Sequence, residues 1–552
     1  AEAEAAEEAP AAAGGARLAA ANANASGEAQ LEPLLHALSL FCAARPELVA
    51  RHIELLPTYL QYDSYAPVVH HVCDMLPLLL PLLDAPRRGL LEKLERLLGA
   101  LVFRVPEALL GQTIAALCAV VAKSRNCQLL HELLSRFCQM MVRASEPAEA
   151  SRLRDQLLRS VLSAGLLCRH FDFEAPGARA EALRADGTAV RYGGDFTRTV
   201  FEQLHAFVPI AAFPGDASAA GSGAGGLRGD KFTIALYALK AIGHVTCRRH
   251  DLLLACRATL AAALGRTAAP QLRVQALSNL SELVRQPAGG AKVAAKVGKE
   301  GKEGREASQL AADASAAASG ALQGHQAAIL SAMGDARHAA VRREALQLTR
   351  GMLEQGLIHP MACIPQLMAL EVDTSRQCAS LAKEALRALF ERHAHMVSSP
   401  GVQLQAFAAA HTLQAELAAL AAAGGAGAPC DSPSAAKSPG GAPDEGEARL
   451  PRLMFELLLP QRRERLGYLR AVVSSLYHEQ LGRAENAGRG AQLCERAAWV
   501  AQALSALPYE KEEDLLHLVF QINRQLSLHA ESTLAAFDAA LGGGGGNLEP
   551  AA

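Results

Sequence analysis

The chain has 552 residues, half of them apolar but only 4% aromatic, and a formal net charge of −2. So even a balance gives no bulk attraction to nucleic acid or to an anionic membrane, and any such contact has to come from local patches. The 12 cysteines stand singly, with no C-x-x-C pair and no Cys/His set at zinc spacing, which suits a reducing compartment and offers no metal site.

Taken in chain order, the start AEAEAAEEAP is acidic and lacks the basic-then-apolar layout of a secretory signal, so export is not expected. Residues 1–30 are Ala-rich and predict a disordered segment. Four further stretches, 215–229, 287–320, 421–449 and 542–552, are rich in Gly, Ala, Ser or Pro and carry too few large apolar residues to offset their ordering entropy. They read as loops or tails separating helical repeats over 31–214, 230–286, 321–420 and 450–541. No run of about eighteen uninterrupted apolar residues occurs. The most apolar stretch, Met75 to Leu83, is broken by Pro77 and Pro81, so no membrane partner is expected.

Within the repeats, Ala and Leu dominate and strand-forming runs are almost absent. Apolar residues recur at helical spacing: Phe232, Leu236, Leu239 and Gly243; Val274, Leu277, Leu280 and Val284; Val341, Ala345, Leu348 and Met352. Gly243 in mid-helix predicts close helix packing. Helices meet at short basic or Pro-containing corners: ARPELVARHIELL at Ala44, RVPEALLGQTIAAL at Arg104, RRHDLLLACRATL at Arg248 and IHPMACIPQLMAL at Ile358. Pro fits the first turn of the second helix, where its missing N–H costs nothing. Helix, corner, helix, repeated without strands, predicts an all-α solenoid of HEAT type with insertions.

No motif supports catalysis. Gly221, Gly223 and Gly226 satisfy G-x-G-x-x-G without a preceding strand. Ser434 and Lys437 match S-x-x-K inside a Pro/Ser/Gly linker that holds no nucleophile rigidly. His131-Glu132 opens a zincin-like string whose second His position is Ser135, and His70-His71 with Cys73 is too sparse for a metal. The chain therefore offers no catalytic residue, metal or cofactor.

Basic corners are more informative. Lys240, Arg248 and Arg249 cluster beside His250; Arg169 and His170 form a second corner, Arg337, His338, Arg342 and Arg343 a third, and Arg462, Arg463 and Arg465 a fourth. Cations at helix C-termini also suit the macrodipole, but corners aligned along a solenoid make a ridge that a phosphate backbone fits. Lys240, Arg248, Arg249, Arg169, His170, Arg342 and Arg343 are the candidate DNA contacts. Lys292, Lys296, Lys299 and Lys302 alternate with Glu300, Glu303 and Glu306, and their charges cancel.

Several strings then carry a resemblance: LLCRHFDFE at Leu166, KFTIALYALKAIGHVTCRRHDLLL at Lys231, LRVQALSNLSELV at Leu272, GLIHPMACIPQLMAL at Gly356, KEALRALFERHAHMV at Lys383, and ALPYEKEEDLLHLVFQINRQLSLHAESTLAAF ending at Phe537. Collinear from about Leu31, they resemble the C-terminal HEAT region of the Nipped-B (adherin) family of cohesin loaders. The resemblance implies a curved or hook-shaped solenoid in the nucleus that loads cohesin onto chromatin for sister chromatid cohesion, with consequences for transcription and DNA repair. It also implies that the chain grips DNA against the Smc heads, contacts the kleisin and stimulates the Smc ATPase, itself doing no chemistry. The family's tetratricopeptide-repeat partner binds a long N-terminal region that this chain does not contain. Ser432-Pro433 and Ser438-Pro439 are possible phosphorylation sites in the linker. A HEAT-repeat nuclear transport receptor or phosphatase scaffold is the alternative reading; importins are strongly acidic, and phosphatase scaffolds repeat more regularly.

Overall fold

A computed structural model describes residues 31–61, 66–83, 87–144, 152–175, 177–178, 195–209, 227–285, 302–423, 451–475 and 490–542. Helices make up the regular structure, with no extended strand among the described residues. The chain divides into two units: Ala1–Ala262 with Ala312–Ala317, and Ala263–Ala311 with Ala318–Ala552.

The first unit runs α1 (Leu31–Ala44), α2 (Pro46–Ala50), α3 (Leu56–Tyr59), α4 (Ala66–Leu79), α5 (Arg88–Leu101), α6 (Glu107–Ser124), α7 (Cys127–Arg143), α8 (Arg154–His170), α9 (Phe196–Ala206) and α10 (Leu227–Arg248). Helix α11 (Arg257–Leu264) crosses the boundary. Each hairpin pairs neighbours in sequence, α5 with α6, α7 with α8 and α9 with α10, and then α4, α6, α8 and α10 stack on one another as a layer. The corners expected from sequence are where the chain turns. Pro46 opens α2, Pro106 immediately precedes α6, and residues 250–253 of the Arg248 corner form a short 3-10 turn.

Layer packing explains why α6 is so apolar. By length and composition it passes for a membrane span, yet its Leu110, Ile114, Leu117, Val120 and Val121 are buried against the helices on either side. Helix α10 likewise buries more than the expected stripe: Ile234, Ala235, Ala238, Leu239, Ala241, Ile242 and Val245 are all inside, whereas Phe232 and Leu236 are half-exposed. The close approach expected at Gly243 is set from the opposite helix. A Cβ on Gly165 of α8 would lie 2.8 Å from the Cα and carbonyl oxygen of Ala241, so this glycine brings the two backbones together.

The second unit contains α12 (Pro270–Arg285), α13 (Lys302–Gly324, except Ala312–Ala317, which count with the first unit), α14 (Gln326–Met333), α15 (Ala339–Glu354), α16 (Pro360–Glu371), α17 (Arg376–Val397), α18 (Pro400–Ala423), α19 (Leu453–Leu458), α20 (Arg462–Ser475), α21 (Gly490–Ser505) and α22 (Glu512–Gly542). Here α14 pairs with α15 and α16 with α17; α12, α15 and α17 form one layer and α14, α16 and α18 the other. The stripe Val341, Ala345, Leu348, Met352 is fully buried. Pro360 opens α16, with the His359 ring accepting the Met361 N–H at 3.3 Å as its cap. Glu371, at the end of α16, is buried and accepts the N–H groups of Arg452 and Leu453 at 3.0 and 2.9 Å, fixing the start of α19. Burial raises its pKa above the ordinary carboxylate value despite those two donors.

The expected loop over 287–320 is corrected by α13, because residues 302–320 are helical. Seven alanines between Ala307 and Ala318 carry the strongest helix propensity of any residue, and they outweigh the polar, Gly-containing composition that suggested disorder. Helices also extend into the edges of three other expected loops or tails, from Leu227, to Ala423 and to Gly542. Residues 1–30, 215–226, 287–301, 424–449 and 543–552 of those segments lie outside the described residues, as do Ser432 and Ser438.

Candidate nucleic-acid interface

The basic corners fall into three physically different states. In the corner of Lys240, Arg248 and Arg249 each candidate cation already has an acid. Lys240 lies 2.9 Å from Glu107, which also accepts the Tyr237 hydroxyl, and its ammonium stands 5.9 Å over the Tyr237 ring. Arg248 is 3.5 Å from Asp172. Arg249 reaches Asp195 at 3.2 Å and Asp251 at 2.8 Å, and Asp195 meanwhile caps α9 by accepting the Arg198 N–H at 2.9 Å. These contacts are visible in the titration of their members. Burial works against the Glu107 carboxylate, but the hydrogen bonds from Tyr237 and Lys240 hold its pKa below the ordinary value. Tyr237, crowded by burial and facing that carboxylate, is pushed up to about 12.

Arg169 donates to the His244 ring at 3.1 Å. Burial first, then the charges of Arg169 and Lys240, lower His244 to about 3. His170 keeps part of its ring at the surface, yet the protein packed around the rest, followed by Arg169 and Arg248, lowers it to about 4. At neutral pH His170 is therefore uncharged and brings a hydrogen-bonding ring rather than a cation to this corner.

The third corner divides between its two adjacent arginines. Arg342 is corrected as a DNA contact: it is 1% exposed. Its Nε and Nη2 hold Asp373 at 2.6 and 2.7 Å while Nη1 donates to the carbonyls of Asp335 and Ala336 at 2.7 and 3.0 Å. Arg343, one residue on, turns outward and donates only to the neutral Gln377 amide, at 3.2 Å. The 100° step between successive helical residues is enough to separate a core role from a surface one.

Arg342 is one of three equivalent arginines. Arg273 of α12, Arg342 of α15 and Arg465 of α20 each occupy the fourth position of their helix, and each is buried against an aspartate of a following turn or helix start, Asp335, Asp373 and Asp514. Asp335 and Asp373 in turn accept N–H groups of their own turns, Arg337 and Ser375, at 3.0 and 2.9 Å. Burial opposes ionisation of Asp335, but Arg273 and His338 outweigh it and keep the carboxyl below its usual range. This ladder was not singled out from the sequence. Its signal is an arginine at a fixed distance behind each helix start, which surface-charge reasoning lumps with its neighbours.

Of the motifs weighed for chemistry, Gly221, Gly223, Gly226, Ser434 and Lys437 lie outside the described residues, and the histidines pack against neighbours. His131 packs between Phe173 and Phe196 with ring centroids 5.1 Å from each. His36, His70 and His71 line a cavity of about 630 Å³, and among the described residues no cluster of three His, Cys, Asp or Glu has metal-binding geometry.

Residues 318–525 match the family model described as the sister chromatid cohesion C-terminus of Nipped-B. Over that stretch the chain is similar to the Nipped-B family. It is 22% identical over 520 residues to Nipped-B-like protein A of Danio rerio, covering 91% of this chain and 20% of that one. To Nipped-B-like protein of Mus musculus it is 20% identical over 518 residues, covering 91% and 16%. The fold matches the C-terminal fragment of the Chaetomium thermophilum cohesin loader SCC2, with a TM-score of 0.64 at 16% identity over 92% of this chain and 34% of that one. The chain thus spans a fifth or less of these two curated Nipped-B relatives. The matched stretch contains Arg342, Arg343 and two of the three buried Arg–Asp pairs in full; the candidate corners at Arg169 and Lys240 precede it.

Because Lys240, Arg248 and Arg249 face acids, reversing them tests folding before binding. The variant K240E/R248E/R249E sets new carboxylates against Glu107, Asp172, Asp195 and Asp251. It is expected to lower thermal stability by about 1–3 kcal/mol in total, the scale of a few partly exposed pairs lost. An unchanged melting curve for this variant would show that the pairs are not formed in solution.

Proposed function

We propose that this chain is a non-catalytic part of a nuclear cohesin loader, a helical scaffold that holds DNA and cohesin together while the Smc heads hydrolyse ATP. The observation that carries the reading is the sister chromatid cohesion match over residues 318–525 within a helical-pair array that aligns with a cohesin loader along nearly its whole length. The chemistry of the chain agrees. Burial pushes the Cys118, Cys138 and Cys256 thiols up to about 12, far from the ionised state a nucleophile needs. On this reading the partners are the Smc heads and kleisin of cohesin, together with chromosomal DNA.

The test is reconstitution. Purified chain added to cohesin and DNA is expected to raise the rate of ATP hydrolysis several-fold and to co-purify with cohesin subunits, while showing no hydrolysis alone. Recovery of a Ran-type GTPase in place of cohesin, with cohesin's hydrolysis unchanged, would replace this function with that of a transport receptor.

A further inference from the structure

In the second unit Arg273, Arg342 and Arg465 are seated on carboxylates in the core, and at the surface Arg462 holds Glu513 and Arg350 holds Glu354 and Glu384; Arg343, on the neutral Gln377, is an exception. Helix α17 departs from that habit. It carries four cations, Arg376, Lys383, Arg387 and Arg392, against two acids, Glu384 and Glu391, and Glu384 is already taken by Arg350 at 3.1 Å. Arg376, Arg387 and Arg392 are exposed, and among the described residues none of them has a carboxylate within 4.0 Å.

Position sorts these cations further. Arg376, Lys383 and Arg387 are seven and four residues apart, so at 100° per residue they fall within about 40° of one line along roughly 16 Å of helix axis. Lys383 is half-buried and its charge also bears on Glu371. The hydrogen bond from Arg343 to Gln377 brings a fourth cation from α15 beside the start of the line. Lys383 and Arg387 are like charges at i, i+4, where an acid would stabilise the helix and a second cation destabilises it.

We infer that Arg343, Arg376, Lys383 and Arg387 form a phosphate-tracking ridge on the second unit, whose ligand is the backbone of duplex DNA. The inference rests on the proposed loader function and assigns residues to it. A straight row on a rigid helix matches a straight rod carrying a charge about every 1.7 Å of its axis. Guanidinium groups present the planar fork that phosphate oxygens accept in pairs. The large apolar side chains exposed elsewhere on the molecule are absent from α17, so the ridge has nothing to insert into a bilayer and no apolar anchor for a peptide. Contacts to phosphate alone carry no base readout, so binding is indifferent to sequence.

The full chain and the variant R376E/R387E are compared by fluorescence anisotropy on two duplexes of unrelated sequence over a range of salt. The variant is expected to bind both roughly tenfold or more weakly, with a logarithmic salt slope shallower by about two, while melting as the parent does. R376K/R387K is expected to retain most of the affinity. If the Glu pair fails to fold, R376Q/R387Q gives the same readout. Parent and variant binding DNA equally, with equal slopes, would overturn the ridge and leave the loader reading standing; a parent chain that binds no DNA would take both away. Loss of binding to polyglutamate or to phosphatidylserine vesicles, with DNA binding intact, would reassign the ridge to an acidic peptide or a membrane and overturn it as well.

Discussion

Replacing Arg342 by Ala is expected to destabilise the second unit by about 3–5 kcal/mol, because it leaves Asp373 buried and charged with no counter-ion. Asp373 is 0% exposed, so water cannot take over the part of the guanidinium. At about 2–4 °C per kcal/mol for a unit of this size, the helical signal at 222 nm should melt on the order of 10 °C lower. Arg343 sits next to it in sequence, is only half-buried and holds no carboxylate, so R343A should change stability by less than about 0.5 kcal/mol. The apolar double variant R342M/D373L is expected to regain much of the loss, since removing both partners of a buried pair is far cheaper than removing one. Equal melting of R342A and R343A would mean that the pair contributes nothing to the packing of α15 against the α16–α17 turn.

An effect of similar size is expected at Gly165. A side chain there meets Ala241 backbone atoms at 2.8 Å, a contact relieved only by moving α8 and α10 apart. Gly165→Val should therefore cost about 3 kcal/mol or more, at the upper end of overpacking effects. Gly165→Ala should also destabilise, even though alanine is better than glycine by about 1 kcal/mol in an unhindered helix. Gly99 of α5 has no atom within 4 Å of the position of a Cβ, and Gly99→Ala should stabilise by up to that amount. Thermal melts of the three variants check the pair of signs; a stabilised Gly165→Ala would show that the two helices are not in close contact.

Much of the fold was legible because it depends on periodicity and on proline, both local. The stripe from Val341 to Met352 is buried as expected, and the corner at Ile358 puts Pro360 at the first helical position. What escaped depends on partners distant in sequence. Lys240 and Glu107 are 133 residues apart, and Arg249 and Asp195 are 54 apart, so charge clustering alone showed cations where the fold has neutral pairs. Arg342 and Arg343 look interchangeable in the string VRREAL, and only the direction of each Cβ separates a core strut from a surface cation. Helix α13 was missed for a different reason: polar, Gly-containing composition was weighed above the local propensity of its alanines. The exposed row on α17 was legible in principle, since its spacing is helical, but nothing in the sequence says that Glu384 is occupied from another helix.

The arginine ladder also bears on how the second unit is tied together. Arg273 holds the Asp335 side chain, Arg342 holds the Asp335 carbonyl, and Arg342 then holds Asp373. Two successive turns, at Asp335 and Asp373, are thereby joined in series to α12 and α15 by two ion pairs and a hydrogen bond to a carbonyl. Beyond Asp373 the series stops: α17 has alanine at its fourth position, Ala379, and breaks its own helical geometry at His393. From there to the Arg465–Asp514 link the unit is tied instead by Glu371 of α16, a carboxylate that holds the backbone N–H groups of Arg452 and Leu453 at the start of α19.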